Sequence, residues 1–135
     1  MRKAIFITTL FLTSCGFANK TKVTGNYYLV AADANEQMSF CFHTPEDGSN
    51  YGDIVGSCVY AVGFNEKYII SKQHPTDLMH SNRLDKSITN YFIVPIEKDI
   101  YTPNNKPLNQ FQFEQQRKRL GIENIEFTIE YKSLE

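Results

Sequence analysis

The chain has 135 residues, with 14 basic and 15 acidic side chains and a net charge of −1. A chain of this length holds one domain and is too short for two comfortable ones, and without a dense basic stretch nucleic acid is excluded as an expected partner. Ten Phe and eight Tyr, accompanied by β-branched residues, favour pleated sheet.

Arg2 and Lys3 supply a positive start, and Ala4 to Leu12 (AIFITTLFL) form a short apolar core. A bilayer span needs about 20 apolar residues, so residues 1–14 read as an export signal rather than a permanent span. Leu12-Thr13-Ser14-Cys15 has the order of a lipobox, in which cleavage just before the cysteine lets its thiol receive diacylglycerol. Cys15 is then a thioether anchor, with palmitate among the expected acyl groups, and not a redox or catalytic thiol. The plainer alternative is an ordinary signal peptide that ends in a cysteine. Two or more acyl chains hold a protein stably on a membrane where one does not. The expected address is the bacterial cell envelope. Gly16 after the cysteine favours the periplasmic face of the outer membrane in a Gram-negative host.

Cleavage there leaves 121 residues carrying 12 basic and 15 acidic side chains. Residues 15–24 are small and polar and read as a lipidated tether, with residues 25–135 as a single β-rich domain. Tyr27 to Ala32 is a compact apolar run bounded by Gly25-Asn26 and Asp33, the pattern of a strand. Met38, Phe40 and Phe42 alternate with Ser39, Cys41 and His43 at the period of a half-buried strand. The following TPEDGSNYGD has loop composition.

Cys41 and Cys58 make an even pair in an exported chain, which invites a disulfide. A symmetric hairpin between Met38–His43 and Val55–Phe64 would place them opposite one another. The alternative is two buried free thiols acting as small hydrophobes. Cys58–Phe64 and Lys67–Lys72 flank Asn65-Glu66 as a second, tighter hairpin, with Gly63 marking a bulge beside the turn. Residues 73–90 turn polar and read as a long irregular excursion. Tyr91 to Ile96 is another strand, and Pro95 places it at an edge or marks its end.

Asn109 caps a helix, with Gln112 completing a capping box and Leu108 and Phe113 in the staple positions. Arg117-Lys118-Arg119 in the last turn suit the helix dipole, and Gly121 terminates it. Ile125, Phe127, Ile129 and Tyr131 alternate with polar residues as a closing amphipathic strand. The expected class is α+β: a small antiparallel sheet of five to six strands with one helix in the C-terminal region.

Little in the sequence announces chemistry. His74, Asp77 and His80 are a weak candidate metal set, because their spacing matches no zinc pattern and solvated loop side chains are the plainer reading. His43 reads as a surface or partly buried imidazole, and Tyr51 and Tyr101 as aromatics available to a protein partner. Arg117-Lys118-Arg119 would suit anionic headgroups if they were not simply dipole partners. No nucleophile elbow, phosphate-cradling loop or HExxH occurs. The expectation is therefore no enzyme and no cofactor.

The lipobox, the GNYYLV strand, the VYAVGFNEKYIISKQ hairpin, the NYFIVPIEK strand and the FEQQRKRLGI helix occur in one order. Together they resemble a family of small bacterial lipoproteins of unknown function, over most of residues 25 to 122. Phe64 stands where that pattern often has Trp, and residues 75 to 89 lie outside it. The resemblance implies a fold and an anchor and transfers no catalytic residue. The sequence thus points to a membrane-anchored, non-enzymatic module that binds an envelope protein, of immunity or inhibitor type. Its expected partners are membrane lipid through acylated Cys15 and that protein. The alternative is a small-ligand or metal-ion-binding lipoprotein that uses residues 73–90.

Overall fold

The computed structural model describes residues 17, 19–44, 46, 48, 50–77, 83–96 and 105–135. Cys15, His80 and Tyr101 lie outside them. The first four strands are β1 (Asn19–Thr24), β2 (Tyr27–Ala31), β3 (Ser39–His43) and β4 (Tyr51–Val55), paired antiparallel in that order. A second four-stranded sheet has the order β10 (Ile129–Glu130), β5 (Val59–Phe64), β6 (Tyr68–Gln73) and β9 (Asn90–Pro95). Between β6 and β9, β7 (Thr76–Asp77) and β8 (Arg83–Leu84) form a small separate pair. The helix α1 (Gln110–Leu120) lies between β9 and β10 in the chain. The α+β class holds, but the strands divide between two principal sheets instead of forming one.

The division occurs at Gly56-Ser57-Cys58. Cys58 adopts a left-handed backbone with φ 65°, a region that costs a non-glycine residue of order 1–3 kcal/mol. The kink is held from three sides. Val59 N–H donates to the Met38 carbonyl, His74 N–H donates to that of Cys58, and the Gln73 amide donates to the carbonyls of Gly56 and Ser57. The expected hairpin between residues 38–43 and 55–64 therefore does not form. Part of the segment read as loop becomes β4, which places Asp53 opposite Cys41.

The second sheet is covered on both faces, and β6 shows why. Ile69 packs with Val94, Phe92, Leu29 and Phe40 in the core between the sheets. Its neighbour Ile70 packs with Phe113, Ile122 and Ile125 under the helix. Successive strand residues point to opposite faces, so one strand serves both cores. Pro95 sits at the end of the edge strand β9, where a missing N–H is harmless.

The helix forms as its termini require. Asn109 Oδ1 accepts from Gln112 N–H, Gln112 Oε1 accepts from Asn109 N–H, and Gly121 closes the other end at φ 65°. Phe113 is its one fully buried side chain and stacks on Tyr91 at 4.7 Å between ring centres.

After the helix, Ile125 joins the core under α1, Phe127 touches both cores, and Ile129 and Tyr131 join the core between the sheets. The apolar alternation survives, but only Ile129–Glu130 is a strand. This path needs Gly63, where any Cβ would overlap the Glu126 carbonyl. Gly63 thus permits a chain crossing and is not a bulge, the β5 irregularity lying between Val59 and Ala61.

Phe113→Ala should lower the unfolding free energy by about 3–5 kcal/mol, and Asn109→Ala by about 1 kcal/mol. Urea denaturation of the two variants checks the order. Equal losses would show that the helix is held by its ends and not by its core contact.

Candidate functional site

Among the described residues, two exposed surfaces combine aromatic side chains with charged and hydrogen-bonding groups. The first is the outer face of the β1–β4 sheet. Residues 19–24, expected within the tether, form β1, a polar edge strand whose Val23 and Thr21 turn inward. Lys20 and Lys22 take the alternate, outward positions, opposite Val30 and Tyr28. Across the sheet the same face carries Tyr28, Cys41 and Asp53 in one register row, with His43 facing Tyr51 beside them.

These side chains form a connected cluster. Tyr28 and Tyr51 meet edge to face at 5.6 Å, and His43 lies 4.8 Å from the Tyr51 ring. Lys20 Nζ donates to Tyr51 Oη at 3.2 Å and sits 5.8 Å from the Tyr28 ring centre, with Lys22 Nζ at 5.9 Å from the same ring. Each such cation–π contact contributes roughly 0.5–1 kcal/mol at an exposed site. His43 Nε2 is 2.9 Å from the Gly48 carbonyl, so that nitrogen carries the proton and donates. Phe17, 47 % exposed, packs edge-on against Tyr51 at 5.3 Å. The Lys20/Lys22 alternation in NKTKVT was the available signal, hidden because a polar edge strand looks like a tether.

The second surface is the outward side of α1, on the face of the second sheet opposite the first. Phe111 is 69 % exposed there, and Gln115 and Lys118 continue its stripe at helical spacing. Arg117 does not belong to this surface. Its guanidinium lies 5.3 Å from the Phe113 ring and donates to the carbonyls of Glu123 and Ile125 and to Glu114. It clamps the turn after the helix, which leaves Lys118 and Arg119 as the exposed cations of that triplet.

The residues singled out for metal or redox chemistry are placed differently. His74 is buried, 3 % exposed, and stacks on Tyr60 at 4.4 Å. Its Nδ1 donates to the Ile88 carbonyl at 2.8 Å, which tethers the excursion to β6. It is thus a packed side chain and not a solvated one. Asp77 pairs in register with Arg83. Among the described residues no three His, Cys, Asp or Glu side chains gather to hold a metal ion.

Cys41 and Cys58 are both buried and free. The expected register between them fails, because Cys41 faces Asp53 and its Sγ donates to Asp53 Oδ1 at 3.2 Å. Burial, and then the adjacent Asp53 carboxylate, push the Cys41 thiol far above its ordinary range. Burial also raises Cys58. Both are therefore held as unreactive thiols.

With the two surfaces defined, comparison with known proteins supplies one decisive match, to a model of proteins of unknown function, DUF3997, over residues 24–134. The chain belongs to the DUF3997 family. The matched region runs from the end of β1 to the last turn, so it takes in β2 to β10 and the helix and leaves Lys20 and Lys22 outside. No curated protein and no solved structure matches the chain. Among the described residues no helix is long and apolar enough to cross a membrane.

In a Cys15→Ala protein, a maleimide at pH 8 should label neither Cys41 nor Cys58 in the native state. It should label both in denaturant without reductant. A need for reductant, read by intact mass, would show a bridge instead.

Proposed function

We propose that this DUF3997 protein is an exported, lipid-anchored envelope protein whose β domain works by binding another protein, with no chemistry of its own. The observation that carries the binding role is Phe111. It is a large apolar side chain held in water on a helix fixed by two good caps and a buried Phe113. Protein interfaces use a rigid aromatic at the centre and hydrogen-bonding groups at the rim. Gln112, Gln115, Lys118 and Arg119 supply such a rim beside it. The rim is rich in glutamine, which donates and accepts, and so suits a partner presenting backbone or neutral polar groups. Within this class an immunity or inhibitor role fits a small exported lipoprotein. Its work would be to occupy a partner's surface.

The anchor supports the same reading from the other end. The export signal and the Leu12–Cys15 lipobox place acyl chains on Cys15, close to the first strand of the domain. The helix surface lies beyond the second sheet, on the far side of the domain from that strand. A partner in the aqueous envelope space could therefore reach it while the domain stays tethered.

A photo-crosslinking residue at position 111 of the tagged, lipidated protein should capture one dominant envelope protein in cells. The same probe at exposed Glu123, in the turn after the helix, should capture less of it. Cys15→Ala should lose both the capture and membrane retention. Equal capture from both positions, or capture of lipid alone, would sink the protein-binding role.

A further inference from the structure

We propose that the outer face of the β1–β4 sheet is a lipid-facing surface, which rests on anionic headgroups and sets the orientation of the domain. The inference builds on the anchor reading above. Its first ground is covalent reach. Phe17 packs on Tyr51 of this face, and Cys15 precedes Phe17 by two residues. A chain extends at most about 3.6 Å per residue, so the acylated cysteine's Cα lies within roughly 7 Å of that of Phe17. Acyl chains attached there bring this face to the headgroup layer whatever path the intervening backbone takes.

The second ground is composition. Tyr rings and lysines are the side chains that settle at a membrane–water interface, the ring amphipathic and the ammonium paired with lipid phosphate. Lys20 and Lys22 are exposed at alternate positions of β1, the strand that follows the anchor in the chain, with Tyr28 and Tyr51 against them and Phe17 on Tyr51. Lys20 Nζ also reaches Tyr51 Oη on β4, so the cations of one edge strand and the ring of the other form one contact surface.

The consequence is orientational. With this face on the lipid, the two sheets and then α1 stack outward, and Phe111 points into the aqueous space. A loosely tethered domain would present every side equally.

The test is lysine acetylation of the native lipidated protein. It is reconstituted in vesicles of phosphatidylcholine alone or with phosphatidylglycerol, and read residue by residue by mass spectrometry against the same protein in detergent. Lys20 and Lys22 should be acetylated about fivefold more slowly on the anionic vesicles, the factor expected from the interaction of one lysine with an anionic surface. Lys118, on the helix, should be unaffected. Lys20→Gln with Lys22→Gln should remain membrane-bound through Cys15 and expose Tyr28 and Tyr51 to iodination. Equal acetylation of Lys20, Lys22 and Lys118 on a protein whose Cys15 carries diacylglycerol would overturn the orientation and leave the anchor intact. Equal protection on both vesicle types would overturn the headgroup-charge contact. An unmodified Cys15 would remove the anchor reading itself, and intact mass reports that separately.

Discussion

The structure depends on β6 being buried on both sides. Ile69 faces the core between the sheets and Ile70 the core beneath the helix. Burying a side chain of this size stabilises by roughly 1.5–3 kcal/mol, and here two consecutive residues achieve it because two layers cover one sheet. Ser71 continues the strand fully buried beside them. The first sheet closes one side, and the helix with the segment after it closes the other.

That layering gives the molecule two unlike ends. The edge strand β1 carries the lysines and the route to Cys15, whereas α1 carries an exposed phenylalanine among glutamines. They sit one on each outer layer. The proposed partner contact at α1 and the proposed lipid contact at the first sheet would therefore not compete for surface.

Several polar residues that resemble functional groups are instead structural connectors. His74 holds residue 88 to the end of β6 while its ring covers Tyr60. Arg117 gathers two carbonyls of the segment after the helix. Cys41 occupies a space beside Asp53 as a protonated thiol. Each satisfies backbone or fills volume at a place where chain segments distant in sequence meet.

The helix was legible from the sequence because its determinants are local. Asn109, Gln112 and Gly121 act on backbone groups within a few residues of themselves, and Phe113 and Leu108 mark the buried side at short range. The hairpin around Asn65 was legible for the same reason, its side chain accepting from Lys67 and Tyr68 N–H. The family match over residues 24–134 covers these same elements. The parting of the sheets at Cys58 was not legible, nor was the strand character of residues 19–24 or the burial of His74. Those outcomes rest on contacts such as Thr21 with Tyr131, 110 residues apart, and Val59 with Met38. Periodicity within a segment reports which side chains want burial. Only the packed tertiary structure decides which distant segment supplies the cover.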